Sequence, residues 1–283
     1  MTSSQSSSYF MEAENIAEMA RLTKQARLFS ATTGLLPPTV KLAGAATVLD
    51  VGTGPGEWAM AVAQQFPACS VTGIDTSQIM SHYATASARE QKLPNVQFRI
   101  MDALQPLSFP DASFDLVHAR LVSGFMKASQ WPAFLRECFR LLKPGGVICS
   151  TEYEGMGITT SSPLTRFNAL FVEAMRRNGQ GFTPIGEQLG LTAVQAYLLA
   201  QAGCERVQQQ ASVINYSKGM SGHTWMVENL TTGMKLIQPF IIRQKVATLA
   251  ELESLYLAGL EEMMEDAFCG IIFLHTAWGY KPS

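Results

Sequence analysis

The chain has 283 residues and little charge: 16% of them are charged and the formal net charge is −2. That balance gives no electrostatic footprint for a polyanion, which disfavours DNA or RNA as a partner, a local basic patch aside. Long apolar runs are absent too. No stretch of eighteen apolar residues offers a membrane span. Cysteine is sparse and scattered: Cys69, Cys138, Cys149, Cys204 and Cys269 are odd in number and none has a close partner at zinc spacing. They read as free thiols of a reducing compartment. The opening MTSSQSSS lacks the basic and apolar regions of a signal peptide, so the expectation is a cytoplasmic protein with no membrane partner. No internal repeat and no low-complexity linker divides the chain. What is present is apolar content of 47%, enough for one large α/β domain or a domain with a sizeable insertion.

The most informative stretch is VLDVGTGPGEW at 48–58. An apolar run broken by Asp50 gives way to Gly52, Gly54 and Gly56, and then to a helical pattern with Trp58, Val62 and Phe66 on one face. Strand, glycine turn and helix bring backbone close to a ligand. The dinucleotide fingerprint requires a sixth-position glycine, and here that position is Glu57. Asp50 just ahead of the loop would repel a pyrophosphate and suits a ligand carrying positive charge.

Around this loop, strands and helices alternate. The patterns predict strands at 46–51, 70–75, 96–102, 114–119 and 147–153, with helices at 77–91 and 130–142 and a breaker, LKPGG, at 142–146. A helix is expected from Tyr9 to about Ser30, stopped by Pro37 and Pro38. Beyond 153 the pattern turns helical at 162–178 and 191–202, with a strand at 204–213, helices at 222–239 and 247–266, and a last strand at 270–279. Alternation of this kind makes a mostly parallel sheet covered on both faces, with ligands at the carboxyl ends of its strands.

Asp50, Gly52, Gly54 and Gly56 match D/E-x-G-x-G-x-G, and the loop resembles motif I of the class I S-adenosylmethionine-dependent methyltransferases. FPDASFDLVHAR at 109–120 resembles that family's approach to strand four, and RLLKPGGVI at 140–148 its turn before strand five. The resemblance covers about residues 46–153. It implies an α/β, Rossmann-like, doubly wound and mostly parallel seven-stranded sheet with helices on both faces. Residues 1–45 are then an N-terminal helical lid. Residues 46–283 are the S-adenosylmethionine-binding domain, with a helical cap at about 217–268 between the last two strands. The implied cofactor is S-adenosyl-L-methionine and the product S-adenosyl-L-homocysteine. No metal is expected, because the Asp-Asn pair of metal-using catechol-type relatives is absent from the chain.

The resemblance also assigns residues. Asp75 ends the second strand, where the family's acidic residue accepts from both ribose hydroxyls, with Thr76 beside it; capping of the next helix is the competing role, open also to Thr76 or Ser77. Asp102 matches the acceptor for the adenine amino group, and the Ala103 amide reaches a ring nitrogen. His118 and Arg120 fall at the ligand end of strand four. His118 is a candidate base, or a core or cofactor-edge histidine. Arg120 is a partner for the methionine carboxylate, for an acidic substrate or for a nearby acidic side chain. Tyr9, Gln25 and Arg27 are the polar residues of the lid. Further base candidates are Glu152, which with Glu154 flanks Tyr153, and His223, which precedes Trp225 in the cap; solvation and packing are their alternatives. His82 and His275 read as surface and structural.

The expected function is methyl transfer by in-line displacement to an oxygen or nitrogen of a small-molecule acceptor, ahead of carbon. A nucleic-acid methyltransferase is one alternative, although HARL stands where amino-directed DNA enzymes carry N/D-P-P-Y/F and no Pro-Cys occurs. A non-catalytic S-adenosylmethionine-binding regulator is another. The acceptor's identity has no sequence code, and a homodimer is left open.

Overall fold

The structure is a computed structural model and describes residues 15–283. Strands Thr47–Val51 (β1), Ser70–Asp75 (β2), Val96–Ile100 (β3), Phe114–Arg120 (β4) and Leu142–Glu152 (β5) run parallel in the spatial order β3-β2-β1-β4-β5. The order reverses between β1 and β4, which opens a crevice at the carboxyl ends of the strands. Register keeps those ends level: Val51 pairs with Ile74 on one side and Ala119 on the other.

Helices Ile16–Thr33 (α1), Glu57–Gln65 (α2), Gln78–Glu90 (α3) and Trp131–Leu141 (α4) complete the first half. The inner strands β1, β2, β4 and β5 are buried along most of their length, whereas the edge strand β3 has no buried residue. Val48 and Leu116 pack with Trp58 and Val62 of α2. Their neighbours Leu49 and Val117 pack on the opposite face with Leu135 and Leu141 of α4. This is the two-residue period of a strand read across two cores.

The second half comprises Ile158–Thr159 (β6), Ser162–Arg177 (α5), Leu191–Gln201 (α6), Glu205–Asn215 (β7), His223–Arg243 (α7), Leu249–Met263 (α8) and Gly270–Tyr280 (β8). β8 lies antiparallel to β5 on one side and to β7 on the other. The expected sheet of seven strands becomes eight because β6 adds a two-residue contact, Ile158 opposite Ile271. The pairing of β5 with β8 ends at Glu152; the chain loops out through 153–157 and returns as β6 on the same edge of β8. Helices α5, α7 and α8 enclose a third core around Phe167, Met234 and Leu252.

Two local expectations need correction. LKPGG is not a break before the strand but part of β5. The partner jumps from Phe114 opposite Leu142 to Leu116 opposite Val147, so 143–146 form a bulge, with Gly145 at φ 76°. Asp102 lies beyond β3, which stops at Ile100; its Oδ1 accepts from the Leu104 amide at 2.9 Å. Among the described residues no helix is long and apolar enough to cross a membrane.

Candidate active site

The glycine loop after β1 has φ values of 66°, 53° and 80° at Gly52, Gly54 and Gly56, all in the left-handed region that favours glycine. The loop is pinned from both neighbouring strands. Thr53 donates its amide to the Ile74 carbonyl at 2.9 Å and its hydroxyl to Asp50 Oδ2 at 2.6 Å. The Gly54 amide donates to Asp75 Oδ2 at 2.8 Å, and Asp75 Oδ1 accepts from the Ser77 amide at 2.9 Å. Burial pushes the Asp75 carboxyl up, opposed by the bonds from Ser77 and Gly54. Capping of α3 falls to Ser77, whose hydroxyl accepts from the Met80 amide.

These strand ends open into a cavity of about 1330 Å³ counted to its mouth. Gly52, Gly54, Asp75, Thr76, Asp102, Ala103 and Arg120 all border it. Across from them lies one face of α1, with Arg21, Gln25 and Phe29 at helical spacing. α1 is held at both ends: Arg27 pairs with Glu57 at the start of α2 at 2.9 Å, and Arg21 donates to Asn229 of α7 at 2.8 Å. Glu57, which breaks the dinucleotide fingerprint, is thus the anchor of the N-terminal helix.

Arg120 is the cation at this end. It donates to Ser30 Oγ at 3.1 Å, and no described carboxylate lies within ion-pair distance of it. Burial brings it down to about 10, with the Asp50 charge opposing, so it stays cationic at neutral pH. On the far side, Tyr153 borders the cavity from the loop after β5, edge-on to Phe29 with centroids 6.3 Å apart. Burial pushes its hydroxyl up, and Arg21 and Gln25 act the other way.

Several expected site residues are elsewhere. Asp50 does not border the cavity; one oxygen takes the Thr53 hydroxyl and the other the His118 Nδ1–H at 2.7 Å. It faces His118 and the loop rather than a ligand. His118 stacks on Trp58 at 3.6 Å and 6°, and borders a small cleft behind the cavity. Burial lowers its pKa against the pull of Asp50. Gly56 is packed, since a Cβ there would stand 2.6 Å from the Phe98 ring.

Glu152 is fully buried, accepting from the Val122 amide at 2.9 Å and the Ser123 hydroxyl at 2.7 Å. It ties down the turn Val122–Gly124 and does not reach the cavity. Glu154 caps α6, accepting from the Gly190 and Thr192 amides at 2.8 and 2.7 Å. His223 is buried, donates Nδ1–H to the Tyr216 carbonyl at 3.1 Å, and leans on Phe268. Tyr9 lies outside the described residues. The sequence reading missed Arg21 and Phe29; their four-residue spacing from Gln25 was the available signal.

A profile for a methyltransferase domain matches residues 48–146, the segment that carries the glycine loop, Asp75 and Asp102. Trans-aconitate 2-methyltransferase of Deinococcus radiodurans is 30% identical over 243 residues, covering 82% of this chain and 86% of that protein. The chain belongs to the class I S-adenosylmethionine-dependent methyltransferases. Demethylmenaquinone methyltransferase of Listeria welshimeri is 33% identical over 136 residues, 48% of this methyltransferase and 56% of the Listeria protein. The chain thus spans little more than half the length of the Listeria relatives. In fold, the methyltransferase is similar to the Haemonchus contortus phosphoethanolamine N-methyltransferase 2 solved with S-adenosyl-L-methionine. The TM-score is 0.52 at 17% identity, over 96% of this chain and 60% of that one.

Proposed function

We propose that the cavity holds S-adenosylmethionine between the strand ends and α1, and that the enzyme moves a methyl group to a small-molecule acceptor, at oxygen in preference to nitrogen or carbon. The residues present fit the cofactor. Each Asp75 oxygen takes one backbone N–H and keeps capacity for another donor, as a ribose with two hydroxyls requires. At Gly54 even an added Cβ would meet no atom within 4 Å, so the backbone lies open to a ligand. Asp102 and Ala103 follow for the adenine edge. Arg120 supplies the cation for a carboxylate. A dinucleotide would meet Glu57 in the first turn of α2 instead. The single observation that carries the reading is the convergence of Gly54, Asp75 and Arg120 on one cavity.

When bound, S-adenosylmethionine supplies a methyl group on a sulfonium sulfur, which leaves with the electrons of the carbon–sulfur bond as an acceptor lone pair forms the new bond. The chain's own residues position and desolvate. α1 acts as the lid, its Phe29 face over the cavity, and α7 with α8 form the cap. His118, Glu152 and His223 take no part as bases, and the described cavity lining contains neither His nor Glu. The relatives' names cover a tricarboxylic acid and a quinone precursor, and the sparse cations of this lining favour the less charged kind.

Calorimetric titration with S-adenosylmethionine, S-adenosylhomocysteine and NAD tests the reading. Binding of the first two and not NAD, weakened about 100-fold or more in Asp75→Ala, is the expected outcome. A folded protein that binds neither, or binds equally well without Asp75, overturns it.

A further inference from the structure

Past Tyr153 the cavity continues into a second, smaller chamber between α1, α7 and β8, about 530 Å³ when the space open to solvent is included. Arg21, Gln25, Phe29 and Tyr153 border both spaces, so the two meet at that point. The chamber beyond is apolar, walled by Trp225, Met226, Leu230 and Met234 of α7 and by Ile272 of β8.

Its charge is informative. Arg21 is the one cation among the described residues that line it, and that charge is already met. Nε and one terminal nitrogen each lie 2.7 Å from an oxygen of the fully buried Glu18. The other terminal nitrogen donates to Asn229 at 2.8 Å and Gln25 at 3.0 Å. No described carboxylate lines the chamber. An ammonium group there would be buried without a counter-charge. A polycarboxylate would face one guanidinium that Glu18 neutralises. Both arrangements are strongly unfavourable. Arg120 stands in the first cavity, committed to the cofactor carboxylate in the reading above.

The proton adds a second constraint. An aliphatic alcohol holds its proton far too tightly to ionise without help; the second chamber has no His, Asp or Glu in its described lining, and the two carboxylates that line the first, Asp75 and Asp102, are assigned to the cofactor in the reading above. A weakly acidic hydroxyl loses its proton far more readily. The polar groups here, Gln25 and the Tyr153 hydroxyl at the junction and Asn229 just inside the second chamber, suit one oxygen-bearing end on an apolar body.

We infer that the second chamber is the acceptor site, and that the acceptor is an uncharged, largely apolar molecule carrying one weakly acidic hydroxyl of phenol or enol type at the Tyr153 junction. This rests on the S-adenosylmethionine reading of the first cavity. The apolar body lies along α7 while the hydroxyl faces the cofactor end.

A matched series tests it: 2-naphthol, 2-naphthoate and 2-naphthylmethylammonium, titrated calorimetrically into the full chain saturated with S-adenosylhomocysteine. 2-Naphthol is expected to bind about tenfold or more tighter than either charged analogue. Gly233→Leu provides the structural arm. A Cβ at Gly233 meets only Arg21, at 3.6 Å, so the backbone accepts a side chain, which then fills the chamber. That variant is expected to weaken 2-naphthol about tenfold or more while S-adenosylhomocysteine titrates as in the parent. Equal or tighter binding of naphthoate or the ammonium, or indifference of 2-naphthol to Gly233→Leu, overturns the inference alone. Failure of S-adenosylhomocysteine to bind the folded parent overturns the cofactor reading, and this one with it.

Discussion

At the sheet end of the cavity, the lining groups are backbone and short side chains at or just beyond strand ends: Gly52, Gly54, Asp75 and Ala103. At the helical end they are long or aromatic side chains, Phe29 from α1 and Trp225 and Met234 from α7. The first set is fixed by parallel register and by two amide bonds to Asp75. The second is fixed by packing among side chains with several rotatable bonds. A backbone cradle can hold one unvarying ligand but cannot be retuned by ordinary substitution. A helical wall can change its occupant one side chain at a time while the sheet stays as it is. The difference teaches where identity of cofactor and choice of acceptor are separately encoded.

The largest expected effect breaks the sheet end itself. Alanine at Gly56 places a methyl 2.6 Å from Phe98 and 2.8 Å from Ala84 at φ 80°, and should cost about 3 kcal/mol or more of stability in urea unfolding. Alanine at Gly54, where a Cβ meets nothing within 4 Å, should cost only about 1–2 kcal/mol and weaken S-adenosylhomocysteine. Equal destabilisation would mean the two glycines are not divided between packing and ligand.

Next in size is Arg120→Met. It should weaken S-adenosylhomocysteine about 10- to 100-fold and leave adenosine, which has no carboxylate, near the parent value. Equal losses for both ligands would remove Arg120 from the carboxylate and assign it to the fold.

The smallest effect sharpens the sheet end through pH. Burial raises Glu152 to about 8 from an ordinary 4.5. The folded state therefore holds that proton more tightly than the unfolded chain does. The stability this contributes is complete below about 4.5 and is lost as pH rises through about 8. Thermal scans from about pH 5 to about pH 9 should show the parent losing a few degrees that Glu152→Gln keeps. Parallel curves would place Glu152 in the ionised state throughout.

The same division governs what could be read from the sequence. β1, β2 and β4 were legible because apolar runs between glycine turns have few alternatives, and Asp75 because it stands at a strand end. For His118 the core, cofactor-edge and base readings stayed open because its face depends on pairing. Asp50 lies opposite His118 in register, and the two bond on the Trp58 side of the sheet. Arg120, two residues on, shares that side and borders the cleft behind as well, but at the strand end it also reaches the cavity. Glu152 and Glu154 sit in the right segment, yet each is spent on amides, of 122–123 and 190–192, that no sequence rule brings near. The acceptor wall was illegible because Arg21, Phe29, Trp225 and Ile272 meet only through tertiary packing of α1, α7 and β8.

The most direct measurement is a pair of S-adenosylhomocysteine titrations, on Asp75→Asn at the sheet end and Gly233→Leu at the helical end. Separate encoding predicts about a 100-fold loss in the first and no change in the second. Comparable losses in both, or none at Asp75, would contradict it.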